Sequence, residues 1–176
     1  MSKKQDKAKA LIKNPLSEKF GSRLPYRGVY YILGGDGGRK SFFDNAFCVP
    51  VTYSSEQITS ACIRIYRELA RRDLTAKVQE YAAKVGVNPT GLKINGAKTC
   101  LSSCSAKNNL SFSWRLIMMD DDVIDYVVVY ELMHILEDKH SPKFWEIIED
   151  ILPEYKIRQA KLKELKDKFA KENWYI

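Results

Sequence analysis

The chain has 176 residues, 45% of them apolar and 29% charged, with a formal net charge of +7. That length suits one domain with a real core, and no run approaches the ~20 apolar residues needed to cross a bilayer. No apolar stretch of signal-peptide length follows the basic start, and the four cysteines do not resemble a secreted disulfide framework. A cytoplasmic protein with no membrane partner is expected.

Residues 1–20 are Lys-rich (Lys3, Lys4, Lys7, Lys9, Lys13) and are expected to form a loosely ordered basic segment ahead of a domain over 21–176. Between Tyr26 and Val51 the pattern predicts strands. Val29, Tyr31 and Leu33 alternate, the glycines from Gly34 to Gly38 suggest a hairpin turn, and Phe42 to Val51 suggests a further strand. The glycine run lacks the spacing of a phosphate cradle, since Arg39 separates Gly38 from Lys40 and Ser41. Ser54 and Gln57 have capping-box spacing, followed by Ile58, Cys62, Ile65, Tyr66 and Leu69 at helical intervals. A second helix is predicted over 73–85, stopped by Gly86. Leu92 and Ile94 begin a strand, and Leu110, Phe112 and Trp114 alternate in another.

Asp120, Asp121 and Asp122 then place three carboxylates at a helix start, where the macrodipole favours negative charge. Ile124, Val127, Val128, Leu132 and Ile135 supply that helix's buried face, and its end is predicted near 137–138. Ser141 and Pro142 cap and open the next helix, Pro153 interrupts it, and a basic helix over about 154–173 closes the chain. Its lysines alternate with acids, the pattern of a solvated face; contact with nucleic acid is the sharper reading. Strands and helices in this order predict an α+β domain.

The two histidines, His134 and His140, lie in one short segment. A metalloprotease helix needs two imidazoles one turn apart, with a Glu directly after the first as general base. Here the frame is Tyr130-Glu131-Leu132-Met133-His134: the Glu and the second His are present, and Tyr130 stands at the first ligand position. His140 follows where a third ligand often stands. Glu131 interrupts an otherwise apolar helix, and a buried carboxylate needs a metal, a cation or a cleft. Cys100 and Cys104 offer thiolates that could complete a zinc set with the histidines, or they are incidental residues of a β-type loop.

Several stretches together resemble one family. They are Ala97-Lys98-Thr99-Cys100-Leu101-Ser102-Ser103-Cys104-Ser105, then Asn109-Leu110-Ser111-Phe112-Ser113-Trp114-Arg115-Leu116, Val123-Ile124-Asp125-Tyr126-Val127-Val128-Val129 and His140-Ser141-Pro142-Lys143-Phe144-Trp145. Over about 26–163 the chain resembles the YgjP-like metallopeptidases, small zincins with an HExxH helix. The resemblance implies a single zincin-like domain, a small mixed sheet packed against an active-site helix, a zinc cofactor and a peptide or protein substrate. It also implies His134 and His140 as zinc ligands, Glu131 as general base and position 130 as the first ligand. Two departures stand out. Tyr130 replaces His, and only Ser103 and Cys104 remain of an Arg-Trp-Gly-Ser-Cys signature, in a stretch reading Cys100-Leu101-Ser102-Ser103-Cys104. Tyr130 either ligates as a phenolate or fills the cavity and hydrogen-bonds Glu131 or His134. The expectation is a metallopeptidase-family protein with reduced or lost activity. The alternatives are an inactive pseudo-peptidase that binds peptides or proteins, and a nucleic-acid-associated factor like the SprT-like zincins.

Overall fold

The computed structural model describes residues 20–36, 38 and 40–172, and two turns at positive φ shape its first sheet. Arg27 (φ 50°) and Gly28 (φ 78°) fold β1 (Arg23–Tyr26) back onto β2 (Val29–Asp36) as a two-residue antiparallel hairpin. Asp44 (φ 48°) and Asn45 (φ 57°) do the same for β3 (Ser41–Phe43) and β4 (Ala46–Pro50). β2 and β4 then pair in parallel, giving the order β1-β2-β4-β3.

Two expectations are corrected here. The strand predicted over 42–51 is two strands, and Gly34 and Gly35 are not a hairpin turn but lie within β2, opposite Cys48 and Val49. A Cβ on Gly35 would collide with the Val51 side chain, so glycine serves close packing there rather than a turn. Gly37 and most of the basic segment over 1–20 lie outside the described residues.

The capping box at Ser54 and Gln57 is present, and the helix it opens, α1 (Ser55–Val85), runs unbroken for 31 residues. The predicted division near 73 does not occur. Asp73 starts no helix; it is buried, accepting from the Tyr26 hydroxyl at 2.5 Å and Arg72 Nε at 2.7 Å. A carboxylate held by the distant Tyr26 hydroxyl and the neighbouring Arg72 side chain does not compete for the helix's own amides. Gly86 (φ 79°) ends α1 in the left-handed conformation, its N–H donating to Ala82 O at 2.9 Å.

The second sheet has the order β5-β7-β6, from β5 (Gly91–Asn95), β6 (Ser102–Cys104) and β7 (Asn109–Ser113). β5 and β7 are parallel, whereas β6 pairs antiparallel to β7 and forms an edge. Three small polar residues carry little strand signal, so pairing with β7 imposes the conformation of β6. A 3-10 helix (Trp114–Met118) leads to α2 (Asp121–Met133), α3 (Pro142–Ile151) and α4 (Tyr155–Lys171). α2 stops one turn before the predicted end. The result is α+β, with two small mixed sheets where one was expected.

α1 holds the layers together. Tyr66 stacks on Trp114 at 5.3 Å, packs against Phe47 at 4.9 Å, and donates its hydroxyl to Pro25 O at 2.7 Å. The start of α2 is fixed by charge. Arg27 grips Asp121 through two bonds of 2.8 and 2.6 Å, Lys77 pairs with Asp121 and Asp125, and Lys161 meets Asp120 at 2.7 Å and Asp122 at 2.9 Å. The Arg27 hydrogen bond holds the Asp121 carboxyl below the usual carboxylate range. These carboxylates therefore fasten the β1–β2 turn, α1 and α4 to the helix that carries the site.

Candidate active site

Tyr130 and His134 stand one helical turn apart on α2, so their side chains share a face, and their rings meet edge-on at 5.0 Å. The chain leaves the helix at His134 and brings His140 back to the same place. His140 lies 5.5 Å from Tyr130 and 5.0 Å from His134, centroid to centroid. Behind these rings, the first turn of α3 supplies Phe144 and Trp145. Ser141 Oγ accepts from Phe144 N at 3.2 Å, and Pro142 pre-sets the first helical φ, which fixes this turn. Phe144 is fully buried, with its ring 4.9 Å from His140, 5.2 Å from His134 and 5.5 Å from Tyr130. Phe144 and Trp145 read from sequence as core; they also form the wall of this cluster.

The polar contact in the cluster joins Tyr130 to His140. Burial, and then the charge of Glu131, raise the Tyr130 pKa, so the phenol keeps its proton, and its hydroxyl shares a hydrogen bond of 2.5 Å with His140 Nε2. The expected partners, Glu131 and His134, are not the ones taken.

Glu131 turns toward β6. It is 5% exposed, and its carboxyl accepts from the Ser102 hydroxyl and from the Cys104 backbone N–H. Burial outweighs these two bonds and raises the carboxyl pKa. The register of β6 explains why that amide is free for a side chain. Ser113 N bonds Leu101 O at 2.8 Å and Ser105 N bonds Asn109 O at 3.0 Å, so the odd-numbered residues carry the ladder to β7. Ser102 and Cys104 then direct their backbone groups away from β7.

Cys104 ends this strand and Cys100 precedes it. Cys100 is exposed, with Sγ donating to Ser102 O at 3.2 Å; the Cys104 thiol pKa is raised by burial and by the charges of Glu131 and Asp138. Among the described residues, no three His, Cys, Asp or Glu side chains gather closely enough to hold one ion.

A cleft of about 410 Å³ runs between β6, α2 and α4, lined among others by Cys100, Ser102, Tyr130, Glu131, Leu162 and Lys166. A side pocket of about 260 Å³ shares its Ser102, Val127, Tyr130 and Leu162 walls and adds Tyr126 and Gln159. A larger hollow of about 510 Å³ near Gly86 and Pro89 has no acid, base or nucleophile in its lining.

The placement of Tyr130 decides whether zinc suits this site. Two donors on one tetrahedral zinc, each about 2.0–2.1 Å from it, lie about 3.3 Å apart. Tyr130 Oη and His140 Nε2 are at 2.5 Å with a proton between them. They would have to part, and the phenol ionise, before an ion could enter. Without Tyr130, His134 and His140 leave an ion one protein ligand short of the usual three. The residues as arranged do not fit a catalytic zinc centre.

A family model described as YgjP-like, metallopeptidase domain, matches residues 1–165. Among solved structures, the chain is similar to the metallopeptidase zymogen abylysin of Pyrococcus abyssi, with 17% identity and a TM-score of 0.47, over 51% of this chain and 90% of that one. No curated protein matches it.

Proposed function

The chain belongs to the YgjP-like metallopeptidase domain family, and from that premise we propose that it is a member whose metal-dependent peptide hydrolysis is lost or strongly reduced and whose cleft remains as a peptide-binding groove. The observation that carries this reading is the hydrogen bond of 2.5 Å between the Tyr130 phenol and His140 Nε2. It uses a nitrogen that the family's chemistry reserves for zinc, and a protonated phenol is a poor ligand. Bound zinc would polarise a scissile carbonyl and acidify water. Glu131, in the general-base position, instead fastens β6 to α2 through Ser102 and Cys104.

Binding needs less than catalysis. An extended peptide can add to a sheet edge through main-chain hydrogen bonds while pockets take alternate side chains. β6 is such an edge, and the cleft lies beside it.

The test is the metal content of the protein purified without added zinc or chelator, beside a Tyr130→His variant. The parent should hold far less than one zinc per chain and the variant close to one. Near-stoichiometric zinc in the parent would overturn the proposal.

A further inference from the structure

We infer that the cleft beside β6 selects an extended peptide carrying a carboxylate near a bulky apolar side chain, with Lys166 receiving the carboxylate and the Tyr126–Leu162 side pocket the apolar group. This rests on the peptide-binding reading above and names the ligand class of the same cleft.

Lys166 is the anomaly that points there. Two other lysines of α4 are engaged: Lys161 pairs with Asp120 and Asp122, and Lys168 lies over the Tyr30 ring at 5.4 Å. Lys166 is half-buried in the cleft wall and has no ion-pair partner among the described residues. The carboxylate that shares its cleft, Glu131, is committed to Ser102 and Cys104. A partly desolvated ammonium without a counter-charge favours an incoming anion.

The side pocket supplies the second half. At about 260 Å³ it falls below the ~300–1,000 Å³ of small-molecule sites and suits one side chain, between the Tyr126 and Val127 side chains and Leu162. Leu162 and Lys166 are four residues apart on α4, so they project along one wall with Cβ atoms about 5–6 Å apart. Side chains two residues apart on one face of a strand are separated by about 6.8 Å. An apolar residue and an acid at positions n and n±2 therefore match the wall, and a chain-terminal carboxylate beside the apolar residue presents the same chemistry. Ser102, with its backbone N–H directed outward from β6, offers a main-chain donor to such a strand.

The experiment is fluorescence anisotropy at low salt with labelled decapeptides built on Ser and Thr. Each carries one Leu, with Glu, Gln or Lys two residues to either side; a second set ends in Leu as free acid or as amide. The parent should bind Glu-bearing or free-acid peptides about three- to tenfold tighter than their Gln or amide partners. Which set shows the advantage tells an internal acid from a chain terminus, and either supports the inference. Lys166→Glu should invert the preference toward Lys-bearing peptides, a gain that misfolding cannot imitate. Equal binding of the Glu, Gln and Lys peptides together with equal binding of acid and amide, or a preference that survives Lys166→Glu, overturns the inference and leaves peptide binding standing. No binding by any peptide overturns both.

Discussion

Replacing Glu131 measures how far this carboxylate has become a structural group. Glu131→Ala leaves the Cys104 amide and the Ser102 hydroxyl without their acceptor. A buried donor left unpaired costs about 1–3 kcal/mol, and the half-buried Ser102 hydroxyl can turn toward water. Relief from burying a charge offsets part of this, since burial is the main cause of the raised carboxyl pKa. The net loss should be about 2 kcal/mol, or roughly 4–8 °C in melting temperature for a chain of this size. Glu131→Gln keeps an oxygen acceptor without the charge and should stay within about 1 kcal/mol of the parent. The pH dependence has a definite sign. With a raised folded-state pKa, the folded protein binds this proton more tightly than the unfolded chain, whose carboxyl titrates near ~4.3. The favourable contribution is complete below that value and is lost as pH rises through the raised one. Relative to Glu131→Gln, the parent should therefore lose stability as pH rises from the unfolded value of ~4.3 through the raised folded one. Urea unfolding followed by tryptophan fluorescence reads both effects. A Glu131→Ala protein as stable as Glu131→Gln, or a parent-to-Gln difference unchanged across that interval, would refute the reasoning.

Phe144 is fully buried behind Tyr130, His134 and His140, so Phe144→Ala should cost about 3–5 kcal/mol in denaturant unfolding. Lys77, with a side chain only 13% exposed between Asp121 and Asp125, should cost about 1–3 kcal/mol when changed to Ala, and the loss should shrink in high salt. In native protein a thiol reagent should label exposed Cys100 first and Cys62 last, because Cys62 is buried with its pKa pushed up to about 12. Fast labelling of Cys62 without unfolding would contradict its placement in the core.

Local signals were legible where the physics is local. The Ser54–Gln57 box, the Gly86 stop and the Ser141–Pro142 start each depend on a few neighbouring residues, and each stands where the pattern put it. What escaped depends on distant partners. Asp73 looked like a helix start because its donor, the Tyr26 hydroxyl, lies 47 residues away. β6 escaped because β7 imposes it, and β2 pairs with a strand that no hairpin rule would choose. The site divides in the same way. The need of Glu131 for a partner could be read from an acid on an apolar helix; that the partner includes a backbone amide could not. Tyr130 stood out as a misplaced phenol, but its bond to His140 depends on how sharply the chain returns after His134.

The unbroken helix α1 acts as a gauge as well as a wall. Its 31 residues span about 46 Å, with Tyr66 set against the first sheet and Lys77 against the site helix. Adding or removing one residue between those two points would turn everything beyond it by about 100° and shift it by about 1.5 Å. Insertions of seven residues nearly restore the phase but misplace the contacts by about 10 Å, so no length change restores both. The middle of α1 therefore admits substitution but not a change in count.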